Sequence, residues 1–483
     1  MAPATKSSAM TPSSGKAKLE QVTSILATLK TDLEQTNLLP HQRNTLLEEL
    51  KVHGRAAENA DPIFARNGIE ILARYGFESS NSATSREALR CLANALLLQP
   101  KTRQMFVDLG FGDKAAEKAK SDNTDDEFLI SRILFLLTYD SDLDFDSLVR
   151  SHQLAESINA AIARHARRYS KSSRHLSYDN PMSMNTMALS ETLKLLFNIT
   201  HHYPDLQPMF TKSIPHIFKI LVRHKIPSPP LEQPVNYLIN ALLNLDLEEG
   251  DKTAKSFSHS AVFPKFDAKC NAEHLINILD QAISVYPEAQ LDRVAPPVLT
   301  LIRRVYEIAP DAVQTYMQWL LLPTDDERTR PLGKSDTLSA RLLRLSTSAM
   351  LPTLRGNISS MLFELSGKDA AKFVHNVGYG FASGFLLSHN IAMPESAMDA
   401  YANGTEGAEK GGVPVNPITG QRLDAEEEEQ GPPMTREEKE REAERLFVLF
   451  ERLKATGVMN VENPVARAVQ EGRFEELDDD ADE

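Results

Sequence analysis

Apolar residues recur at three- and four-residue spacing through most of the chain, in short segments separated by prolines and polar turns. This spacing places apolar side chains on one face of a helix, so each segment is predicted to be an amphipathic α-helix. The clearest predicted helices are 19–33, 42–59, 68–75, 86–98, 127–138, 189–200, 214–222, 235–245 and 295–308. Long strand-like alternation is hard to find, and the pattern therefore predicts an all-α protein.

Two of the predicted helices resemble each other. The segments EALRCLANALLLQPKTRQMF (87–106) and ETLKLLFNITHHYPDLQPMF (191–210) align without a gap at an offset of 104 residues. A third run, YLINALLNL (237–245), repeats the L-x-N-A-L pattern of the first. The offset suits two or three helical repeat units of about 40 residues each. We therefore predict an armadillo/HEAT-like right-handed α-solenoid over residues 18–393.

Each related segment carries asparagine inside an apolar run, at Asn94, Asn198, Asn240 and Asn244. A buried amide without hydrogen-bond partners costs about 1–3 kcal/mol. In armadillo-type arrays the last helix of each unit lines a concave surface, where an amide can donate to and accept from the backbone of a bound segment. We predict such a ladder here. The alternative is that each amide pairs with a carbonyl of its own unit.

Arginines accompany the first of these asparagines. Arg66, Arg74, Arg86 and Arg90 lie in or beside the N-terminal predicted helices. Guanidinium binds carboxylate bidentately, so arginine and asparagine on one face suit an extended or helical peptide that ends in a carboxylate. The alternative is that these arginines are merely solvated.

Composition narrows the possible functions. The formal net charge is −14, which disfavours nucleic-acid binding, although residues 461–483 alone contain nine acids and two bases. Two cysteines exclude a disulfide scaffold and a multi-cysteine zinc site, and they fit a reducing compartment. The polar residues 1–17 are expected to be disordered and lack the apolar centre of a signal peptide. No apolar stretch approaches the length of a bilayer span, so we expect a cytoplasmic protein.

No motif supports catalysis, a cofactor or a metal. VGYGFASG (377–384) has the spacing GxGxxxG rather than GxGxxG, and a tight turn with close helix packing explains its glycines better than a nucleotide site. His201 and His202 lack the companion ligands of a metal site and are expected to face solvent. We therefore expect a non-catalytic, monomeric binding protein.

The composition changes after residue 393. Residues 394–434 contain Gly, Pro and the acidic run DAEEEE, which is typical of a linker. An amphipathic helix with a docking segment is predicted over 435–473, with Phe447, Phe450 and Leu453 on its apolar face. This face is expected to contact either the solenoid or a partner. Residues 474–483 form an acidic tail.

Several stretches together resemble the synembryn family: LKLLFNIT, VGYGFASGFL, NPITGQR (416–422), MTREEKEREAERLFVLFERL and NPVARAVQEGR (463–473). The resemblance spans roughly residues 20–475 and is most specific in the C-terminal block. It implies a solenoid that acts on heterotrimeric G-protein α subunits, as a guanine-nucleotide exchange factor and folding chaperone. The partner would be GDP-bound or nucleotide-free, and association through it could recruit the protein to the plasma membrane.

The resemblance also implies where the partner binds. Family members hold the C-terminal helix of the α subunit in the concave groove, and the C-terminal part contacts the switch region and nucleotide domain. The matching groove positions are Arg90, Asn94, Asn198 and Asn240, with Arg74 a looser match. One departure is that the acidic run 423–430 has no Ser or Thr, where animal relatives carry phosphorylatable residues. The rival hypothesis is a generic peptide-binding scaffold or transport adaptor.

Overall fold

The computed structural model describes residues 15–171, 182–248, 260, 262–392, 415–416, 418–426, 435, 439, 441, 444–445 and 447–448, with side chains of the first range described to residue 169. Within these ranges the regular structure is helical, apart from one isolated bridge between Val415 and Arg422. The chain divides into two compact units, residues 1–424 and 425–483.

The described helices of the first unit are, in chain order, α1 (Lys16–Gln35), α2 (Pro40–His53), α3 (Arg66–Glu78), α4 (Ser82–Leu98), α5 (Lys101–Asp108), α6 (Gly112–Lys118), α7 (Thr124–Leu137), α8 (Phe145–Arg150), α9 (Leu154–Lys171), α10 (Met184–His202), α11 (Ile214–Arg223), α12 (Val235–Leu243), α13 (Cys270–Val285), α14 (Glu288–Val294), α15 (Pro296–Glu307), α16 (Asp311–Leu321), α17 (Leu338–Leu345), α18 (Pro352–Leu365), α19 (Ala370–Val377) and α20 (Tyr379–Ser388). Short 3-10 segments occupy Asp61–Phe64, Pro204–Ser213, Glu327–Thr329 and Leu423–Ala425.

One row of helices runs through the first unit. It consists of α2, α4, α7, α10, α12, α15 and α18, each packed on the next. Other helices pack against this row, for example α3 on α4, α9 on α10 and α13 on α15, and a continuous apolar core lies between the two layers. This stacking confirms the predicted all-α solenoid class. The two related segments lie in α4 and α10, and one row helix, α7, separates them. This arrangement is expected if the 104-residue offset between the segments corresponds to two repeat units.

Local signals fix where these helices begin and end. The side chain of Asn81 accepts a hydrogen bond from the Thr84 backbone N–H, so Asn81 caps α4 and the helix begins at Ser82. In the sequence, Thr84 followed by Glu87 also fits a capping box, but Thr84 lies inside α4 and does not cap it. The predicted helix 42–59 also ends earlier, at His53, before Gly54.

The segment 415–424 has the composition of a linker, yet it contacts the helical body. Gly380 donates its backbone N–H to the Ile418 carbonyl at 3.1 Å, and Arg422 donates to the Arg328 carbonyl at 2.7 Å. Gly378 has a φ of +81°, and a Cβ there would lie 2.9 Å from the Ile418 oxygen. Gly378 therefore serves a tight turn, as expected, but the chain that approaches it closely is the segment around Ile418 rather than a packed helix.

Candidate partner-binding site

Four neighbouring helices of the row, α4, α7, α10 and α12, each leave one stripe of side chains partly or fully exposed, which at α7 and α12 continues one or two residues past the end of the helix. The stripe follows the three- and four-residue spacing of a single helix face. We call these residues the row face: Arg90, Asn94 and Leu97; Arg132, Phe135 and Tyr139; Lys194, Phe197 and His201; Tyr237, Asn240 and Asn244.

The aligned acids Glu87 of α4 and Glu191 of α10 each form an ion pair with the preceding helix of the row. Glu87 accepts from Lys51 of α2 at 2.6 Å and also from Arg90. Glu191 accepts from Arg132 of α7 at 3.0 Å and from Lys194 at 2.7 Å. The aligned Glu and cation of the two related segments therefore form repeated ion-pair ties within the row.

The predicted arginines all have acidic partners in this structure. Arg90 contacts both Glu87 and Asp125, and Arg74 lies 3.5 Å from Glu78. Arg86 pairs with Asp126 at 2.7 Å. The fourth arginine, Arg66, lies 3.7 Å from Asp108. A partner carboxylate would therefore have to compete with an existing ion pair at each of these positions.

The four predicted asparagines divide into two kinds. Asn198 is only 5% exposed and donates to the Thr138 hydroxyl at 2.7 Å. Asn244 donates to the Phe197 carbonyl at 3.1 Å. Both amides thus tie a row helix to the preceding one, so their partners lie on a neighbouring helix and are not carbonyls of their own unit.

Asn94 and Asn240 differ from this pair. Each is partly exposed, and among the described residues neither side chain has a hydrogen-bond partner. Their donors and acceptors are therefore available to a bound segment without breaking an internal bond. A cavity of about 330 Å³ opens beside Asn240, with Asn236, Glu232 and Arg293 at its wall.

Aromatic rings surround a lysine at the centre of the row face. The Lys194 ammonium lies 4.7 Å from the centre of the Phe135 ring and 5.8 Å from that of Tyr237. Burial raises the pKa of Tyr237 and the Glu191 carboxylate adds to the effect, so the phenol stays neutral and can donate a hydrogen bond. Phe197 stacks on His201 with ring centres 5.9 Å apart.

The exposed ends of these helices add further apolar surface. Leu97 is 45% exposed and Tyr139 is 42% exposed. Aromatic and aliphatic contacts with a few unpaired amides are what the apolar face of an amphipathic helix requires from a groove. The row face is thus suited to a helical protein segment.

The second predicted contact region is only partly described. The described residues 439, 441, 444, 445, 447 and 448 are helical, and Phe447 is 41% exposed. Phe450 and Leu453 lie outside the described residues, so the prediction of a contact face there stays a prediction.

Sequence reasoning did not identify the centre of the row face. Phe135, Lys194 and Tyr237 come from three different helices, and only packing brings them together. One signal was present, because the alignment of the related segments pairs Arg90 with Lys194.

In the described part of the chain, no group of three or more His, Cys, Asp or Glu side chains could hold a metal ion. Nor does any helix described there combine the length and apolar character needed to cross a bilayer.

The chain is similar in sequence to one protein family and to several known proteins. The model of the family described as guanine nucleotide exchange factor synembryn (Ric8) matches residues 46–473. A synembryn-like chaperone of Schizosaccharomyces pombe is 31% identical over 193 residues, 38% of this chain and 36% of that protein. The chaperone Ric-8A of Macaca fascicularis is 25% identical over 471 residues, 90% of this chain and 85% of that protein. The Xenopus tropicalis chaperone Ric-8A is also 25% identical, over 92% of this chain and 86% of its own length.

Proposed function

The chain belongs to the guanine nucleotide exchange factor synembryn family, and from this premise we propose that it binds G-protein α subunits, assists their folding and accelerates release of their bound guanine nucleotide. The chaperone names of its relatives support the folding role. The family match, which extends over most of the chain, is the observation that carries this proposal. The row face presents partly exposed aromatic side chains and two amides without an internal partner among the described residues, which suit a helical segment of such a partner.

The proposed binding mode places the C-terminal helix of the α subunit on the row face. The apolar side of that helix would contact Phe135, Phe197 and Tyr237, which are partly exposed in the free protein. The amides of Asn94 and Asn240 would hydrogen bond the helix end or its polar side chains. Arg74, Arg90, Asn198 and Asn244 would then contribute mainly by holding the row helices in position.

The proposed mechanism is a linkage between two binding equilibria. The C-terminal helix of an α subunit supports the loop that holds the guanine base, so capture of that helix lowers nucleotide affinity. Linkage is reciprocal, and nucleotide binding therefore weakens the complex by the same factor. In this scheme the protein makes and breaks no covalent bond, and it stabilises the nucleotide-free state.

Release of a fluorescent guanine nucleotide from a purified α subunit tests the proposal. We expect the full chain to accelerate release, and an α subunit truncated before its C-terminal helix to lose both binding and acceleration. Two neutral hydrogen bonds contribute about 1–3 kcal/mol together, so Asn94→Ala with Asn240→Ala should weaken the complex about tenfold.

A matched control is available on another helix. Asn277 is an exposed amide on α13, outside the row, and Asn277→Ala should leave binding and nucleotide release unchanged. If the double variant binds the α subunit as tightly as the parent chain, the row face is not the binding site. If the parent chain neither binds nor acts on any α subunit, the proposed function itself is wrong.

A further inference from the structure

The layer of helices packed against the row carries a strongly basic surface, in contrast to the acidic chain as a whole. Residues 157–178 and 206–231 together contain nine Lys or Arg and no Asp or Glu, whereas the full chain has a net charge of −14. These stretches include most of α9 and all of α11, and the two helices pack on each other.

Side-chain contacts show how α9 and α11 lie together. Asn159 donates to the Met209 carbonyl at 2.9 Å, just before α11, and the Tyr169 hydroxyl lies 3.0 Å from His224 Nδ1, just after it. The helices therefore run side by side in the same direction. Between these two contacts, Arg167 and Lys219 come close to His216, where their charges add to burial in lowering the pKa of that imidazole.

Four of these cations have no acidic partner among the described residues, unlike Arg164 of α9, which pairs with Asp122 and Glu127. Arg167, Arg223 and Lys225 are exposed and Lys219 is partly exposed. None of the four forms an ion pair or side-chain hydrogen bond with any described residue. The Arg residues of the row face are all paired, so this set is different in kind. We call these four residues the α9–α11 basic patch.

An exposed aromatic lies in the turn that precedes the next helix of the same layer. Phe266 is 86% exposed, between Lys265 and Asp267, and Lys269 follows directly before α13. Helix α13 packs on α11, and the imidazole of His274 lies beside the backbone of Leu221. The beginning of α13 therefore lies beside the end of α11, where Arg223 and Lys225 are found.

We propose that the α9–α11 basic patch docks this protein on an anionic lipid bilayer, with the Phe266 side chain entering the interface beside it. Several unpaired cations on one face of a helix pair match the diffuse negative charge of a lipid surface. A large exposed apolar ring next to Lys265 adds the apolar contact that peripheral membrane binding uses. An acidic protein partner would account for the cations but would leave the ring unexplained.

Cosedimentation of the full chain with lipid vesicles tests this proposal. We expect binding to vesicles that contain phosphatidylserine, loss of binding on vesicles of phosphatidylcholine alone, and weaker binding as NaCl is raised. Each basic residue near an anionic surface contributes about fivefold in partition, so Arg167→Glu, Lys219→Glu and Arg223→Glu together should reduce binding at least a hundredfold. Phe266→Ser should reduce it several-fold without changing its salt dependence.

A second triple variant controls for net charge. Lys30, Lys101 and Arg355 are exposed cations elsewhere in the first unit, and their replacement by Glu changes the total charge equally. This variant should keep most of the vesicle binding, and thermal unfolding should show that both triple variants are folded. If both triple variants lose vesicle binding equally, the α9–α11 basic patch is not a specific membrane-binding site. Binding of soluble polyglutamate through the patch without any vesicle binding would also overturn the proposal, in favour of an acidic protein partner.

Discussion

The guanidinium of Arg328 donates a hydrogen bond of 3.0 Å to the carbonyl oxygen of Gly420, which lies 92 residues later in the chain. The same side chain donates to the carbonyls of His375 and Asn376 at 3.2 and 2.8 Å, at the end of α19. Arg328 is 5% exposed, and its bond to Gly420 is buried, whereas its bonds to His375 and Asn376 are partly buried. One buried cation thus fastens the segment 415–424 to the helical body.

Replacement of Arg328 by Met should release this segment. The substitution keeps an apolar stem but removes the Arg328 donor from three carbonyls, and loss of the buried bond to Gly420 alone costs about 1–3 kcal/mol. We expect faster hydrogen exchange of the amides in 415–424, measured by mass spectrometry, with smaller changes in the helices of the row. Arg330→Met, at an exposed cation two residues away, is the matched control. Unchanged exchange in the Arg328 variant would mean that other contacts hold the segment.

Gly378→Ala should weaken the same attachment by a different route. The backbone at Gly378 has a φ of +81°, and an added Cβ would meet the Ile418 carbonyl oxygen at 2.9 Å. Positive φ at a residue with a side chain costs of order 1–3 kcal/mol before the clash is counted. We expect a lower unfolding temperature and faster exchange of 415–424.

Gly384→Ala provides the comparison for this prediction. Gly384 lies in α20, and an added Cβ there would meet no atom within 4 Å. Alanine favours a helix over glycine by about 1 kcal/mol, so this variant should be neutral or slightly stabilised. Equal effects at the two glycines would show that the close approach of Ile418 is unimportant.

These glycines illustrate what the sequence could and could not predict. The spacing in VGYGFASG indicated a tight turn with close helix packing, and the turn is found at Gly378, but the segment that packs closely there is not a helix. The approaching chain could not be identified, because the Ile418 segment has the composition of a linker and forms no periodic pattern of its own. Backbone hydrogen bonds can be formed by residues of almost any type, so an attachment made through them cannot be recognised from the side chains in the sequence.

The asparagines show a similar limit within the candidate site. Periodicity and self-alignment placed Asn94 and Asn198 at matching points of two helices, and both helices are found in the row. Their environments differ because the partner of Asn198 is the Thr138 hydroxyl of the preceding helix end. A side chain's hydrogen-bond partner on a neighbouring helix depends on packing, and the sequence pattern of one helix does not contain it.

A buried carboxylate near the N-terminus should make stability depend on pH. Asp32 is 3% exposed and accepts from Arg43, from the Tyr75 hydroxyl at 2.6 Å and from the Leu38 backbone N–H at 2.6 Å. Burial alone would raise the pKa of Asp32, but the hydrogen bonds from Arg43, Tyr75 and Leu38 outweigh it and lower the pKa from 3.8 to about 2. The folded state therefore favours the ionised form.

The sign of the effect follows from this lowered pKa. The stabilisation is fully present above pH 3.8 and is lost as the pH falls through about 2, since the unfolded state then binds the proton first. The shift corresponds to about 2 kcal/mol. Urea unfolding at pH 5 and near pH 2.5 should therefore show a smaller loss of stability for Asp32→Asn than for the parent chain. The exposed Asp336 provides the control, and Asp336→Asn should lose as much stability as the parent chain. If all three proteins lose the same stability between pH 5 and pH 2.5, the hydrogen bonds to Asp32 do not stabilise its ionised form.

The two kinds of asparagine should separate stability from partner binding. Asn198→Ala removes a 2.7 Å bond to Thr138 in a site that is 5% exposed, and we expect it to lower the free energy of unfolding by about 1–3 kcal/mol. Asn94→Ala removes no internal bond of a described residue and should change that free energy by less than about 0.5 kcal/mol.

Affinity for an α subunit should follow the opposite order when both variants are compared at a temperature where each is folded. Asn94→Ala should weaken the complex several-fold, because the proposed binding mode has the partner hydrogen bond to this free amide. Asn198→Ala should weaken it less, since its amide is already engaged by Thr138. Titration calorimetry gives both affinities, and urea unfolding gives both stabilities. A larger loss of affinity in the Asn198 variant would mean that the partner displaces Thr138 and binds the buried amide instead.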